Sequence, residues 1–233
     1  MKRRDFVQLC AASAAGATLP DAARASTLSA HKYARVKLVD DRGEPLRVDS
    51  LVAGQTYVFD YPYAATPCFL LRLAKPLVAG IVLHTESGEP YVWSGGVGTD
   101  KSVVAYSAIC AHKMTYPTRQ VSFIGYRDTP SPVAGPGKMI TCCSDRSVYD
   151  PAEGAKVVSG PAPQPLATIL LEHDAKTDET FAVGALGGEK FAEFFRKYSF
   201  RLQLEMGNRS RASVDTTAPV RLLDNYSAQW AKC

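Results

Sequence analysis

No apolar run in this sequence is long enough to cross a bilayer, no segment repeats, and no long low-complexity tract interrupts it. The weakly apolar stretch from Phe6 to Leu19 has 14 residues, short of the ~20 that a membrane helix requires. Excess charge is missing too. The formal charge is +4, and removing residues 1–25 deletes Lys2, Arg3, Arg4 and Arg24 against Asp5 and Asp21, which leaves +2. A chain so near neutrality offers no electrostatic case for a nucleic acid or an anionic membrane as partner. Histidine is scarce, four in 233 residues, and none follows the cysteine pair Cys142-Cys143, where a metal site would most need one.

What is present is enough apolar material, 46% of 233 residues, to bury one domain with additions rather than two full domains. The N-terminal segment MKRRDFVQLCAASAAGATLPDAARAS joins a basic start, the pair Arg3-Arg4, the short apolar stretch and Ala23-Arg24-Ala25 before Ser26. That joint pattern reads as a twin-arginine signal peptide over residues 1–25, cleaved after Ala25. The route exports proteins already folded, often with a cofactor inserted, so a periplasmic location and a preassembled metal centre are expected. Without Cys10, five cysteines remain: Cys68, Cys110, Cys142, Cys143 and Cys233. An odd number leaves at least one unpaired or acting as a ligand. Cys68 and Cys233 are either a disulfide or buried thiols.

Short runs with alternating or β-branched character recur between turn segments such as DDRGEP, ESGEP and SGGVGTD. They are KYARVKLVD, QTYVFDYPY, CFLLRLA, LVAGIVLH, SVVAYSAIC, GKMITCC, LATILLEH and TFAVGALG. These predict an all-β sandwich or barrel-like domain over residues 26–206. Within it, GEKFAEFFRKYS sets Phe191, Phe194 and Phe195 at i, i+3 and i+4, the spacing of one buried helix face. The next piece, FRLQLEMG, alternates Phe200, Leu202, Leu204 and Met206 as a strand would. The tail, residues 207–233, is polar and then weakly amphipathic, and is expected to wrap the domain rather than dock on a partner.

Two cysteine-bearing segments end strand-like runs, one at 107–115 and one at 140–166. In the first, SAICAHKMT, Cys110 and His112 stand two apart, which lets an extended or turning backbone aim a thiolate and an imidazole at one site. In the second, ITCCSDRSVYDPAEGAKVVSGPAPQPL, the cysteine pair arrives after 29 residues that intervene beyond His112 and is followed by Ser147-Val148-Tyr149-Asp150 and a proline-rich loop. This order of Cys-x-His, long loop, cysteine with a donor three residues on, Ser-x-Tyr-Asp and proline loop resembles the Rieske iron–sulfur proteins. The resemblance covers roughly residues 70–186 and is most specific over 107–112 and 140–166.

The resemblance implies stacked antiparallel sheets with a cluster-binding subdomain, here with a short C-terminal helix and tail. It implies a [2Fe-2S] cluster with two cysteines on one iron and two histidines on the other. It makes Cys110 and His112 ligands, and Ser147 and Tyr149 hydroxyl donors that raise the reduction potential by drawing electron density from sulfur. Ser159 to Pro163, including Gly160 and Pro161, becomes the loop that covers the cluster. The implied function is electron transfer within a periplasmic oxidoreductase. Its redox partner would be a catalytic subunit, a cytochrome or a quinol-linked complex.

The second box departs from the family's Cys-x-x-His. Counting from Ser-x-Tyr-Asp makes Cys142 the ligand and puts Asp145 at the histidine position; the other register makes Cys143 the ligand and puts Arg146 there. Asp145 can ligate iron through a carboxylate oxygen, an anionic donor that lowers the potential and removes one imidazole proton from the site. Arg146 keeps its proton and cannot ligate, so the second register needs Asp145 or a second thiol to complete the site. Thr115 and Ser144 stand where high-potential members place an inter-box disulfide, so that bridge is not expected. Three readings follow: a cluster with an altered ligand set, a cluster-free structural or assembly subunit, and a single-metal site on Cys110, His112, Asp145 and Cys142 or Cys143, a donor mix that zinc accepts.

Overall fold

A computed structural model describes residues 27–132, 135–231 and 233. The segment read as a signal peptide, residues 1–25, lies outside the described residues. In chain order the elements are β1 (His31–Val39), β2 (Thr56–Asp60), β3 (Pro67–Arg72), β4 (Ile81–His84), β5 (Pro90–Trp93), β6 (Val103–Ser107), β7 (Ile124–Arg127), β8 (Met139–Cys142), β9 (Ser147–Asp150), β10 (Lys156–Ser159), β11 (Thr168–Asp174) and β12 (Glu179–Leu186). They are followed by α1 (Phe191–Lys197), α2 (Ser199–Met206), β13 (Thr217–Pro219), β14 (Arg221–Leu222) and α3 (Leu223–Tyr226). The chain is mostly β, with short helices toward its C-terminus, as its alternating runs predict.

The largest sheet has the order β13-β1-β12-β11-β6-β3-β2-β14; β10-β9-β8-β7 form a meander, and β4 with β5 a hairpin. Neighbours are antiparallel apart from β1 with β13. The large sheet is the middle layer. From β3, Cys68 and Leu70 enter one core while Phe69 and Leu71 enter another, and β6 divides Val103 and Ala105 from Val104 and Tyr106 in the same way. A strand buried on both faces has no polar side, which is why CFLLRLA and SVVAYSAIC read as continuous apolar runs. The helices close the first core through Phe191, Phe194, Phe195 and Leu202. The smaller sheets close the second, which holds Trp93, Ile140 and Tyr149 together with Cys110 and Cys142.

Two expectations are revised by this architecture. FRLQLEMG is not a strand but α2, which continues from α1 through hydrogen bonds from Tyr198 N–H to Phe194 O and from Leu202 N–H to Tyr198 O. Its alternation does not match burial: Leu202 is inside, whereas Phe200 and Leu204, four residues apart, are 77% and 72% exposed. Arg201 and Glu205 pair at 2.8 Å across one helical turn, the spacing that supports a helix. The second revision concerns Cys233, which neither pairs with Cys68 nor remains a thiol: it is bonded to Cys143, and Cys68 is a buried free thiol.

The tail wraps the domain. Strands β13 and β14, separated only by Val220, pair with β1 and β2 respectively. One short segment therefore pairs with part of both edges that the large sheet would otherwise expose, which leaves fewer backbone groups open there.

Candidate metal centre

The first box is the loop that leaves β6. Cys110 N–H donates to Thr115 O at 2.8 Å and Met114 N–H donates back to Cys110 O at 2.9 Å, so the loop folds on itself around Cys110. The thiol is fully buried, while His112, two residues on, keeps 37% of its side chain exposed. The second box is the connection between β8 and β9, closed by the pairing of Cys142 with Ser147. Arg146 N–H donates to Cys142 O at 2.8 Å with Arg146 at a positive φ of 64°. Ser147 N–H donates to Asp145 Oδ1 at 2.9 Å, the Asx-type bond that folds an aspartate back over its own turn.

These two turns bring the boxes together. Cys110 Sγ, Cys142 Sγ and a carboxylate oxygen of Asp145 lie within 4.8 Å of one another. Asp145 Oδ2 is 3.2 Å from Cys110 Sγ and 3.1 Å from His112 Nδ1, and its side chain is only 2% exposed. Cys143 points away and is bonded to Cys233, so the register that makes it the ligand is corrected: a disulfide sulfur has no thiolate to offer. Folding supplies no second imidazole either. His31 meets Glu189, His173 meets Thr180, and His84 sits in the β4–β5 hairpin.

The charges are arranged around few protons. Cys110 is held below the ordinary thiol range by donation from Cys142, against the opposing effect of burial, with help from the Tyr149 hydroxyl and the N–H groups of His112 and Lys113. Cys142 is pushed up, because it keeps the proton it shares with Cys110 and because it is buried beside Asp145. Burial would raise Asp145 as well, but Ser147 N–H and the neighbouring thiols outweigh it and hold the carboxylate down. The core of the site is thus two thiols facing one buried carboxylate, a donor set that suits a cation once the thiols give up their protons.

Ser147 and Tyr149 stand at the start of β9, on the inner side. Tyr149 OH lies 3.3 Å from Cys110 Sγ and accepts from Ala111 N–H at 3.2 Å. Ser147 Oγ is buried and makes no close hydrogen bond among the described residues, although it stands near enough to Asp145 to help hold that carboxylate down. Gly160 shows how closely the proline loop approaches: at φ 90°, an added Cβ would lie 2.5 Å from Arg146 O and from Ser147 Cα. Only glycine lets this backbone pass against the box. Pro161 follows it at the surface.

Sequence reasoning missed the anchor behind the second box. Arg127 donates to Ala231 O, reaches Cys143 Sγ at 3.0 Å and stacks 4.7 Å over Trp230. Trp230 in turn packs on Gly125, where a Cβ would meet its ring at 2.9 Å. The one available signal was arithmetic: an odd set of five cysteines beyond residue 25, two of them adjacent.

No protein-family model matches the chain. It is similar to an iodate reductase subunit, IdrB, of Pseudomonas sp. (strain SCT), at 27% identity over 190 residues that cover 80% of each protein. Among solved structures, the soluble domain of the Rieske protein II (soxF) from Sulfolobus acidocaldarius aligns with a TM-score of 0.45 at 26% identity, over 66% of this chain and 78% of that one.

Proposed function

We propose that this chain is an electron-transfer subunit of an exported oxidoreductase and holds a [2Fe-2S] cluster on an altered ligand set. In this reading Cys110 and Cys142 hold one iron, and His112 and Asp145 hold the other. The observation that carries it is the convergence of these four residues from two separate turns, under a buried serine hydroxyl that makes no close hydrogen bond. The cluster family fits that hydroxyl. A buried hydroxyl without a close hydrogen bond costs roughly 1–3 kcal/mol, and the sulfur of a bound cluster would supply an acceptor. When bound, the cluster would accept and release single electrons.

The residues of the chain set the terms of that exchange. Cys110, Cys142 and Asp145 are shielded from water, so His112 is the donor through which the site meets the outside. Ser147 and Tyr149 would draw density from sulfur and raise the potential; the anionic Asp145 acts in the opposite sense. The similarity to an iodate reductase subunit supports a catalytic partner that takes or supplies the electrons. An oxidising compartment is supported by the disulfide between Cys143 and Cys233, and the twin-arginine route is proposed on the Arg3-Arg4 segment alone.

Iron and acid-labile sulfide analysis, with electron paramagnetic resonance of the reduced protein prepared without oxygen from an export-competent host, tests this reading. Two irons and two sulfides per chain are expected. Zinc in their place selects the single-metal site, and a protein without metal sinks the proposal. One observation favours the cluster-free alternative. Asp145 sits at 3.1–3.2 Å from both His112 and Cys110, so most of the donor set is satisfied without a metal.

A further inference from the structure

The near-neutral charge of the chain conceals a local excess of cations at the candidate centre. Lys113 follows His112 directly. Lys197, at the end of α1, donates to the Lys113 carbonyl at 2.5 Å. Arg146 follows Asp145, whose carboxylate meets His112. All three side chains are at the surface, and none of them forms an ion pair among the described residues. Some cations elsewhere are paired, as Arg35 is with Glu172 and Arg221 with Asp41, and others are not; what sets Lys113, Arg146 and Lys197 apart is their place around His112 and Asp145.

Beside this rim runs an open groove of about 370 Å³, lined by Thr115, Tyr116, Phe123, Ser144, Tyr198 and Arg201. Phe123 is 42% exposed at its edge. The groove touches both boxes, through Thr115 and Ser144. An exposed imidazole, an adjacent aromatic surface and an uncompensated positive rim form the pattern of an interface whose centre is apolar and whose edge is steered by charge.

We propose that this face docks a redox protein presenting an acidic rim around an apolar contact, and that Lys113, Arg146 and Lys197 steer its approach. The proposal rests on the electron-transfer reading above. A second copy of this chain would present the same cations and be repelled, which leaves a partner of opposite charge as the occupant.

Two protein probes of opposite surface charge test it. Reduced protein is mixed by stopped flow with oxidised plastocyanin, which is acidic, and with oxidised mitochondrial cytochrome c, which is basic. Each takes one electron from the reduced centre, copper(II) becoming copper(I) and haem iron(III) becoming iron(II). At low ionic strength the acidic probe is expected to react about tenfold faster or more, with the difference shrinking as salt approaches ~0.2 M. Lys113→Glu and Lys197→Glu lie on different segments, so one serves if the other fails to fold. Each should slow the acidic probe roughly 3- to 10-fold and speed the basic one. Equal rates with both probes, or a ratio that the variants do not move, overturns the docking face alone. Capture by anionic phospholipid vesicles with equal probe rates overturns it in favour of a membrane. A protein with no reducible centre overturns the proposed function and this proposal together.

Discussion

Asp60 and Asp145 are both withdrawn from water, each close to a buried cysteine, and their acidities are pushed in opposite directions. Asp60 ends β2, one residue beyond the register partner of Cys68 on β3. Burial raises its pKa to about 6, offset only in part by Arg119 and by the Tyr226 hydroxyl at 3.4 Å. Cys68 is pushed up by burial and by Asp60 itself. At the candidate centre burial acts in the same sense on both groups, yet Asp145 and Cys110 are held down. The difference lies in the donors. Inside a ladder the backbone N–H groups are already spent on the neighbouring strand, so Asp60 and Cys68 receive little. In the box turns, the N–H groups of His112, Lys113 and Ser147 are free to point at sulfur and carboxylate. A strand stores a buried acid, whereas a turn can hold a buried anion.

The largest expected effect separates the two aspartates by metal content. Asp145→Ala should lose the iron, and Asp60→Ala should retain it. Asp145→His should keep the cluster and raise its potential by something on the order of 100 mV, since a neutral imidazole replaces an anionic oxygen. Metal analysis and a potentiometric titration followed by paramagnetic resonance read all three. Iron retained in both alanine variants, with an unchanged signal, would remove Asp145 from the ligand set and erase the contrast.

Next in size is the disulfide that keeps Cys143 out of the centre. Cys143 and Cys233 are 90 residues apart, and removing a bond that closes so long a loop costs roughly 2–5 kcal/mol. For a domain of this size Cys233→Ser should lower Tm by roughly 5–15 °C, with iron content unchanged. Cys143→Ser should do the same. Loss of iron in Cys143→Ser, but not in Cys233→Ser, would restore the register in which Cys143 is a ligand.

The two regions were unequally legible in the sequence. Each box declares itself in residue types at fixed spacing, and the order Cys-x-His, Ser-x-Tyr-Asp and proline loop is enough to bring Cys110, His112 and the second turn into one site. The choice between Cys142 and Cys143 was not readable, because it depends on Cys233, which lies far along the chain and reaches the box only after the tail has wrapped. The strands were found where both faces are buried, as in β3 and β6. FRLQLEMG misled because alternation and helical spacing share Leu202, and only the continuation from α1 separates them. The Asp60 site left no mark in the sequence, since an aspartate at the end of an apolar strand reads as its solvent-facing terminus.

The smallest expected effect tests that hidden carboxylate by pH. Asp60 borders a cavity of about 410 Å³ with Tyr116, Arg119, Leu202, Met206 and Tyr226. Its pKa is about 6 in the folded chain against an ordinary 3.8, so the folded state binds its proton more tightly than the unfolded state does. The resulting penalty is fully present above pH 6, where the folded protein must bury an ionised carboxylate, and it fades as pH falls towards 3.8, where both states are protonated. Asp60→Asn keeps an oxygen that can accept from Tyr226 and removes the charge. It should therefore stabilise the protein by about 1–2 kcal/mol at pH 7.5 and by almost nothing at pH 4, as read by denaturant unfolding at the two pH values. If the substitution instead destabilises at pH 7.5, Arg119 is compensating the carboxylate in full, and Asp60 joins Asp145 among the anions that this fold holds by design of its turns and cations.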